Sequence, residues 1–180
     1  SSWNVSSVTN MDYMFAYNDI FNQSLNGWNI GPASMVGMFR DNTAFNSPID
    51  QWDMSNVTDI KWMFLNATAF NQDIPNWTLN TITTLNSMFN GATSFNGDIS
   101  NWSFPNVTSM NSLFKGADLF NVDISAWDVS GVTNMFEMFF GAGAFNQNIG
   151  SWDVSSVENF NTMFAGAASF NQDLSSWNVS

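Results

Sequence analysis

Apolar and polar positions alternate along this chain in a block that keeps returning. From Val8 the apolar residues Val8, Met11, Met14 and Phe15 stand at i, i+3, i+6 and i+7, a spacing that places them on one face of a short helix. Val132, Met135, Met138 and Phe139 repeat it further on. Beside each helical block lies a different pattern. Trp28 and Ile30, or Trp127 and Val129, are two residues apart and so point to the same side, as on a strand. With the Trp as position 1, each block predicts a short strand around position 1 and a short helix across positions 6 to 14. Gly91, Gly116, Gly141 and Gly166 stand where that helix would stop. Ser6, Asn56, Asn106 and Ser155 stand where it would be N-capped.

The block has a fixed period. Trp3, Trp28, Trp52, Trp77, Trp102, Trp127, Trp152 and Trp177 are 25 residues apart except for one interval of 24, a single-residue deletion just before Met35. Phe fills position 13 (Phe15, Phe39, Phe64, Phe89, Phe114, Phe139, Phe164) and position 19 (Phe21, Phe45, Phe70, Phe95, Phe120, Phe145, Phe170). Asn follows at position 20: Asn22, Asn46, Asn71, Asn96, Asn121, Asn146 and Asn171. Self-similarity at such a period marks a repeat architecture, and coils that cannot bury their apolar face alone do so by stacking. The reading is an α/β repeat solenoid over residues 1–180, with repeats starting at each of the first seven Trp and a partial repeat from Trp177. Each 25-residue coil supplies one short parallel strand and one short helix. The Asn column is expected inside, as a ladder that pairs buried backbone groups.

Composition narrows the function. The chain of 180 residues has a net charge of −12 and no Cys or His. Its cations are Arg40, Lys61 and Lys115, too few and too scattered for nucleic acid. No apolar run approaches the roughly 18 residues of a membrane span. Low charge with abundant Asn, Ser and Thr suits an extracellular or cell-surface setting. Without His or Cys, Ser-His-Asp, Cys-His and zinc sites cannot be assembled; no catalytic residues and no cofactor are expected, and the protein is read as not an enzyme.

The blocks W-D-V-S, M-F-x-G-A and F-N-x-D-I-S, with the apolar spacing Ile124, Trp127, Val129, Val132, Met135, Met138, Phe139, Ala142, closely resemble BspA-like leucine-rich-repeat surface proteins, the bacterial group with repeats of roughly 26 residues. The resemblance covers the whole chain, with departures at Trp77-Thr78-Leu79 and Trp102-Ser103-Phe104. It implies a leucine-rich-repeat solenoid at a cell surface, linked in some members to adhesion, with no catalytic residues to carry over.

Candidate chemistry is sparse. Asp73, Asp98, Asp123 and Asp173 recur at position 22; they are either calcium ligands or, as favoured here, caps of local turns. Asp53, Asp128 and Asp153 follow the Trp and face solvent. Thr9, Thr58, Thr83, Thr108 and Thr133 form a row of the kind that binds ice, but Ser34 and Glu158 interrupt it. Among the N-x-S/T sequons, Asn56 and Asn106 share one repeat position and are the glycan candidates if the source is a secreting eukaryote. Tyr13, Trp62, Phe136 and Phe140 lie between core positions and are expected partly exposed. The expectation is a non-enzymatic extracellular or cell-surface structural or adhesion repeat protein, with a fibrous assembly as its extension; the alternative is a surface binding module for calcium, glycan or ice. Both ends read S-S-W-N-V-S and neither resembles a cap. The expected partners are therefore flanking repeats or other copies of the chain, end to end, and surface proteins or glycans.

Overall fold

A computed structural model describes residues 3–179. Successive 25-residue segments lie on one another, but their content overturns the expected α/β leucine-rich-repeat solenoid. Among the described residues there is no helix. Extended pairing is limited to six isolated parallel bridges, including Asn10 with Ser34, Ser34 with Asp59, and Thr84 with Ser109. The strand-plus-helix unit is absent.

Linked β-turns take its place. In every coil the N–H of position 12 donates to the carbonyl of position 9, as from Met63 to Ile60 at 3.2 Å and from Met138 to Met135 at 3.2 Å. Position 14 donates to position 11 and position 16 to position 13, as from Phe140 to Glu137 and from Ala142 to Phe139, both at 3.0 Å. Position 11 has positive φ in all seven coils (Tyr13, Gly37, Trp62, Ser87, Ser112, Glu137, Thr162), and so has position 15 (Tyr17, Asp41, Asn66, Gly91, Gly116, Gly141, Gly166). A positive φ at the third residue of a four-residue turn is the type II geometry. Recurring left-handed residues forbid a right-handed helix.

The apolar spacing of three is thus the spacing of turn corners. Positions 6, 9, 12, 13, 16 and 19 all point inward: Val107, Met110, Leu113, Phe114, Ala117 and Phe120 are each 2% exposed or less. Coils join edge to edge, because the N–H groups that a helix would use are spent on the next coil. Met110 donates to Asn134, Ser112 to Phe136, Phe114 to Met138 and Gly116 to Phe140, at 2.8–2.9 Å. Trp rings from Trp28 to Trp127 stack at 6.1–6.4 Å. Each later indole N–H donates to a position-23 carbonyl 27 or 28 residues back, as from Trp102 to Ile74 at 2.8 Å. Phe89 and Phe95 are fully buried.

The Asn column is corrected too. It is not internal: Asn22, Asn71, Asn96, Asn121, Asn146 and Asn171 are exposed and Asn46 half-buried. On this outer edge each Oδ1 accepts the backbone N–H of the next Asn, as Asn71 does from Asn96 at 2.7 Å and Asn96 from Asn121 at 2.8 Å. Gln72, Gln147 and Gln172 add their amide N–H groups to the same acceptors.

Candidate functional site

With the core so regular, the departures from it lie on the outer arc of the first three coils, at positions 10, 11, 14 and 15. Type II corners project these side chains away from the core. Tyr13 and Tyr17 are 41% and 66% exposed. The Tyr13 ring lies on Gly37, where an added Cβ would come within 2.6 Å of it; glycine in the second coil is what lets the ring lie down. Arg40 sits over the Tyr17 ring at 5.8 Å and pairs with Asp41 at 3.0 Å. Lys61 sits over the Trp62 ring at 5.7 Å and pairs with Asp59 at 2.9 Å. Asp41 is held in turn by the Asn66 amide at 2.7 Å.

Both cations keep their charge. The hydrogen bond to Asp41 raises the Arg40 pKa, with Tyr17 and Tyr13 adding to it. The hydrogen bond to Asp59 raises that of Lys61, and Tyr13 and Asp12 contribute. Tyr13 lies beside the first of these pairs, because the same Gly37 that carries its ring is next to the Arg40 side chain. A smaller counterpart spans the fifth and sixth coils, where Lys115 pairs with Glu137 at 2.6 Å and covers Phe140 at 4.9 Å. Ser112, nearly buried, donates to Asn111 at 2.7 Å or Glu137 at 3.2 Å.

Of the residues singled out from sequence, Tyr13 and Trp62 fall in this cluster, and Phe136 and Phe140 are half-buried further along the arc. Tyr17, Arg40 and Asp41 were not recognised as site residues. Their signal is rarity: the chain has two Tyr, one Arg and one Trp outside the periodic column, and all four are here.

The position-22 carboxylates do not converge. Asp73 accepts the N–H of Asp98 at 2.8 Å, while Asp98, Asp123 and Asp173 accept the N–H two residues on, from Ser100, Ser125 and Ser175, each at 2.9 Å. No group of three or more acidic residues able to hold a metal occurs among the described residues. Asn56 and Asn106 are exposed. The Asn106 amide donates to the carbonyl of Asn80 at 2.6 Å and that of Asn56 to Ser55 at 3.2 Å. No described helix is long and apolar enough to cross a membrane.

A family model described as "Mycoplasma protein of unknown function, DUF285" matches residues 1–102 and again 83–180. No curated protein and no solved structure matches the chain. The BspA-like leucine-rich-repeat assignment is thereby corrected: the matching family is a different one, and the helix-free coils lack the units that assignment requires. The structural or adhesion reading rested on repeating strand-and-helix units and falls with them.

Proposed function

The chain belongs to the DUF285 family, which brings no activity with it, and we propose that it acts by binding rather than catalysis, as a protein-recognition module that works through the aromatic arc of its first three coils. The observation that carries this is the gathering of Tyr13, Tyr17, Arg40 and Trp62 on one outward face. Trp, Tyr and Arg are the residues that dominate binding energy where proteins meet. Here they are held on turns fixed by inter-coil hydrogen bonds, so little backbone freedom remains to be lost on association. The partner is a protein segment that lays apolar side chains on the rings and offers a carboxylate to the guanidinium. On composition alone we place this binding outside the cell or at its surface.

The test uses a displayed library of random peptides panned on the purified chain. Enriched peptides are expected to lose binding about thirtyfold or more on Tyr17→Ala and Trp62→Ala, the scale of a hot-spot truncation. Absence of enrichment, or equal binding to both variants, would overturn the reading.

A further inference from the structure

The outer arc changes character at its fourth coil. Position 15 carries Tyr17, Asp41 and Asn66 in the first three coils and Gly91, Gly116, Gly141 and Gly166 in the next four. The corner keeps a positive φ in all seven, so one row is a ridge of side chains that gives way to a bare trough. Crowding within the chain does not require the trough. A Cβ added at Gly116 or Gly141 would meet only the Cα and N of the glycine one coil back, at 3.9 Å, an ordinary contact. Asn and Asp tolerate the left-handed region, as Asn66 and Asp41 do in this very row.

Charge singles out the same strip. Arg40, Lys61 and Lys115 are the cations of the chain, and all stand on it at positions 10 and 14, each over an aromatic ring. Of the fifteen acidic residues only Asp12, Asp41, Asp59 and Glu137 share the strip. The other eleven lie outside it, where there is no cation. Two copies that meet through any other face bring carboxylates against carboxylates. On the arc alone, each copy offers both signs.

We propose that the arc of one chain receives the arc of a second copy face to face, the two stacks antiparallel about a two-fold axis at the fourth coil. The axis runs along the coil, so each position meets its own row and the second coil meets the sixth. Asp41 then enters the trough at the partner's Gly141, Asn66 at the partner's Gly116 and Tyr17 at the partner's Gly166. Arg40 comes over the partner's Phe140. The partner's Glu137 comes over Gly37, which lies next to the Arg40 side chain. Ridge meets trough, and guanidinium meets carboxylate, twice over. A parallel arrangement would set the two ridges in the same coils and leave both troughs empty. The assembly rests on the reading of the arc as a protein-binding surface and supplies its partner: Phe140 is the apolar side chain and Glu137 the carboxylate.

Sedimentation over a concentration series reads the outcome. The native chain is expected to form a two-chain species as concentration rises. Arg40→Glu sets a carboxylate against the partner's Glu137, and Glu137→Arg sets a guanidinium against the partner's Arg40. Each variant alone is expected to pair about tenfold more weakly or worse. An equimolar mixture restores an opposite pair at both contacts and is expected to recover the native affinity. Circular dichroism checks that the variants remain folded. Gly141→Asp, for which the single chain has room, replaces either variant should it unfold; it sets a carboxylate against the partner's Asp41 and is expected to weaken pairing likewise. Peptides enriched on the arc are expected to return the native chain to the single state. A native chain that stays single at every concentration, folded variants that pair as well as it does, or a mixture that fails to recover would each overturn the proposal. A chain that stays single yet binds enriched peptides overturns the assembly alone; one that stays single and enriches none overturns the protein-binding reading with it.

Discussion

Phe95 lies against Phe89 at 4.0 Å within its own coil and between Phe70 and Phe120 at 5.8 and 6.0 Å in the adjacent ones, with none of its surface exposed. Its neighbour Asn96 has a different position: exposed, with Oδ1 on the backbone N–H of Asn121 at 2.8 Å. The two adjacent residues give a paired prediction. Phe95→Ala removes an aromatic ring from a column that cannot collapse, since the backbone is pinned on both sides, and should cost about 3–5 kcal/mol. Asn96→Ala frees an N–H that water can reach, so it should cost only about 0.5–1.5 kcal/mol, the net value of an ordinary hydrogen bond. Urea denaturation of both variants checks the contrast. Equal losses would mean that the amide column carries as much as the ring columns.

At the scale of the element, the coil is a train of turns whose corners at positions 11 and 15 are left-handed. Left-handed φ costs an L-residue roughly 1–2 kcal/mol, and the chain meets this unevenly. Position 15 is Gly from the fourth coil onward, whereas position 11 is Gly only once, at Gly37. Thr162 is the extreme case: a β-branched residue at φ 54°, exposed, whose hydroxyl bonds only the adjacent Asn161 carbonyl at 2.8 Å. Thr162→Gly should therefore raise stability, the relief exceeding the roughly 0.5–1 kcal/mol of added chain entropy that glycine carries. Gly116→Val, at φ 63°, should lower it. A denaturant midpoint that moves the other way for either variant would show that the corners are not strained.

At the scale of the molecule, carboxylates run down the edge where each coil turns into its Trp. The Ser hydroxyl two residues on holds Asp53, Asp123, Asp128 and Asp153 below the ordinary value of 3.8, with the Ser backbone N–H assisting. The Ser175 backbone N–H does so first for Asp173, and the Gln51 side chain first for Asp50. A folded pKa below the unfolded one gives stability that is fully present above the unfolded value and lost as pH falls through the folded one. Acid also relieves repulsion in a chain of net charge −12, but among these six carboxylates it is at Asp128 alone that another carboxylate, Asp153, pushes the other way. Hydrogen bonding therefore wins. The melting temperature should be level from neutral pH to about pH 5 and fall below about pH 4, and Asp128→Asn should shallow the fall. A melting temperature that rises on acidification would show that repulsion dominates.

The sequence by itself determined the period, the Trp and Phe columns, and which apolar residues face inward, because a stacked coil must place the same apolar side chain at the same height every time. It also singled out Tyr13 and Trp62 as lying between core positions, but not Tyr17 or Arg40, whose only signal is the rarity of their residue types. What it could not determine was the conformation between inward corners. Val8, Met11 and Met14 three residues apart fit one face of a helix and the corners of linked turns equally well, since both return the chain to the same side after three residues. Tertiary structure decided between them. In isolation an N–H at position 13 finds its partner within its own segment; with a neighbouring coil in place it finds a carbonyl there, as Phe114 finds Met138 at 2.9 Å. The same competition moved the Asn column outward: backbone groups already paired between coils need no buried amide, and the side chains bridge the coils along the solvent edge.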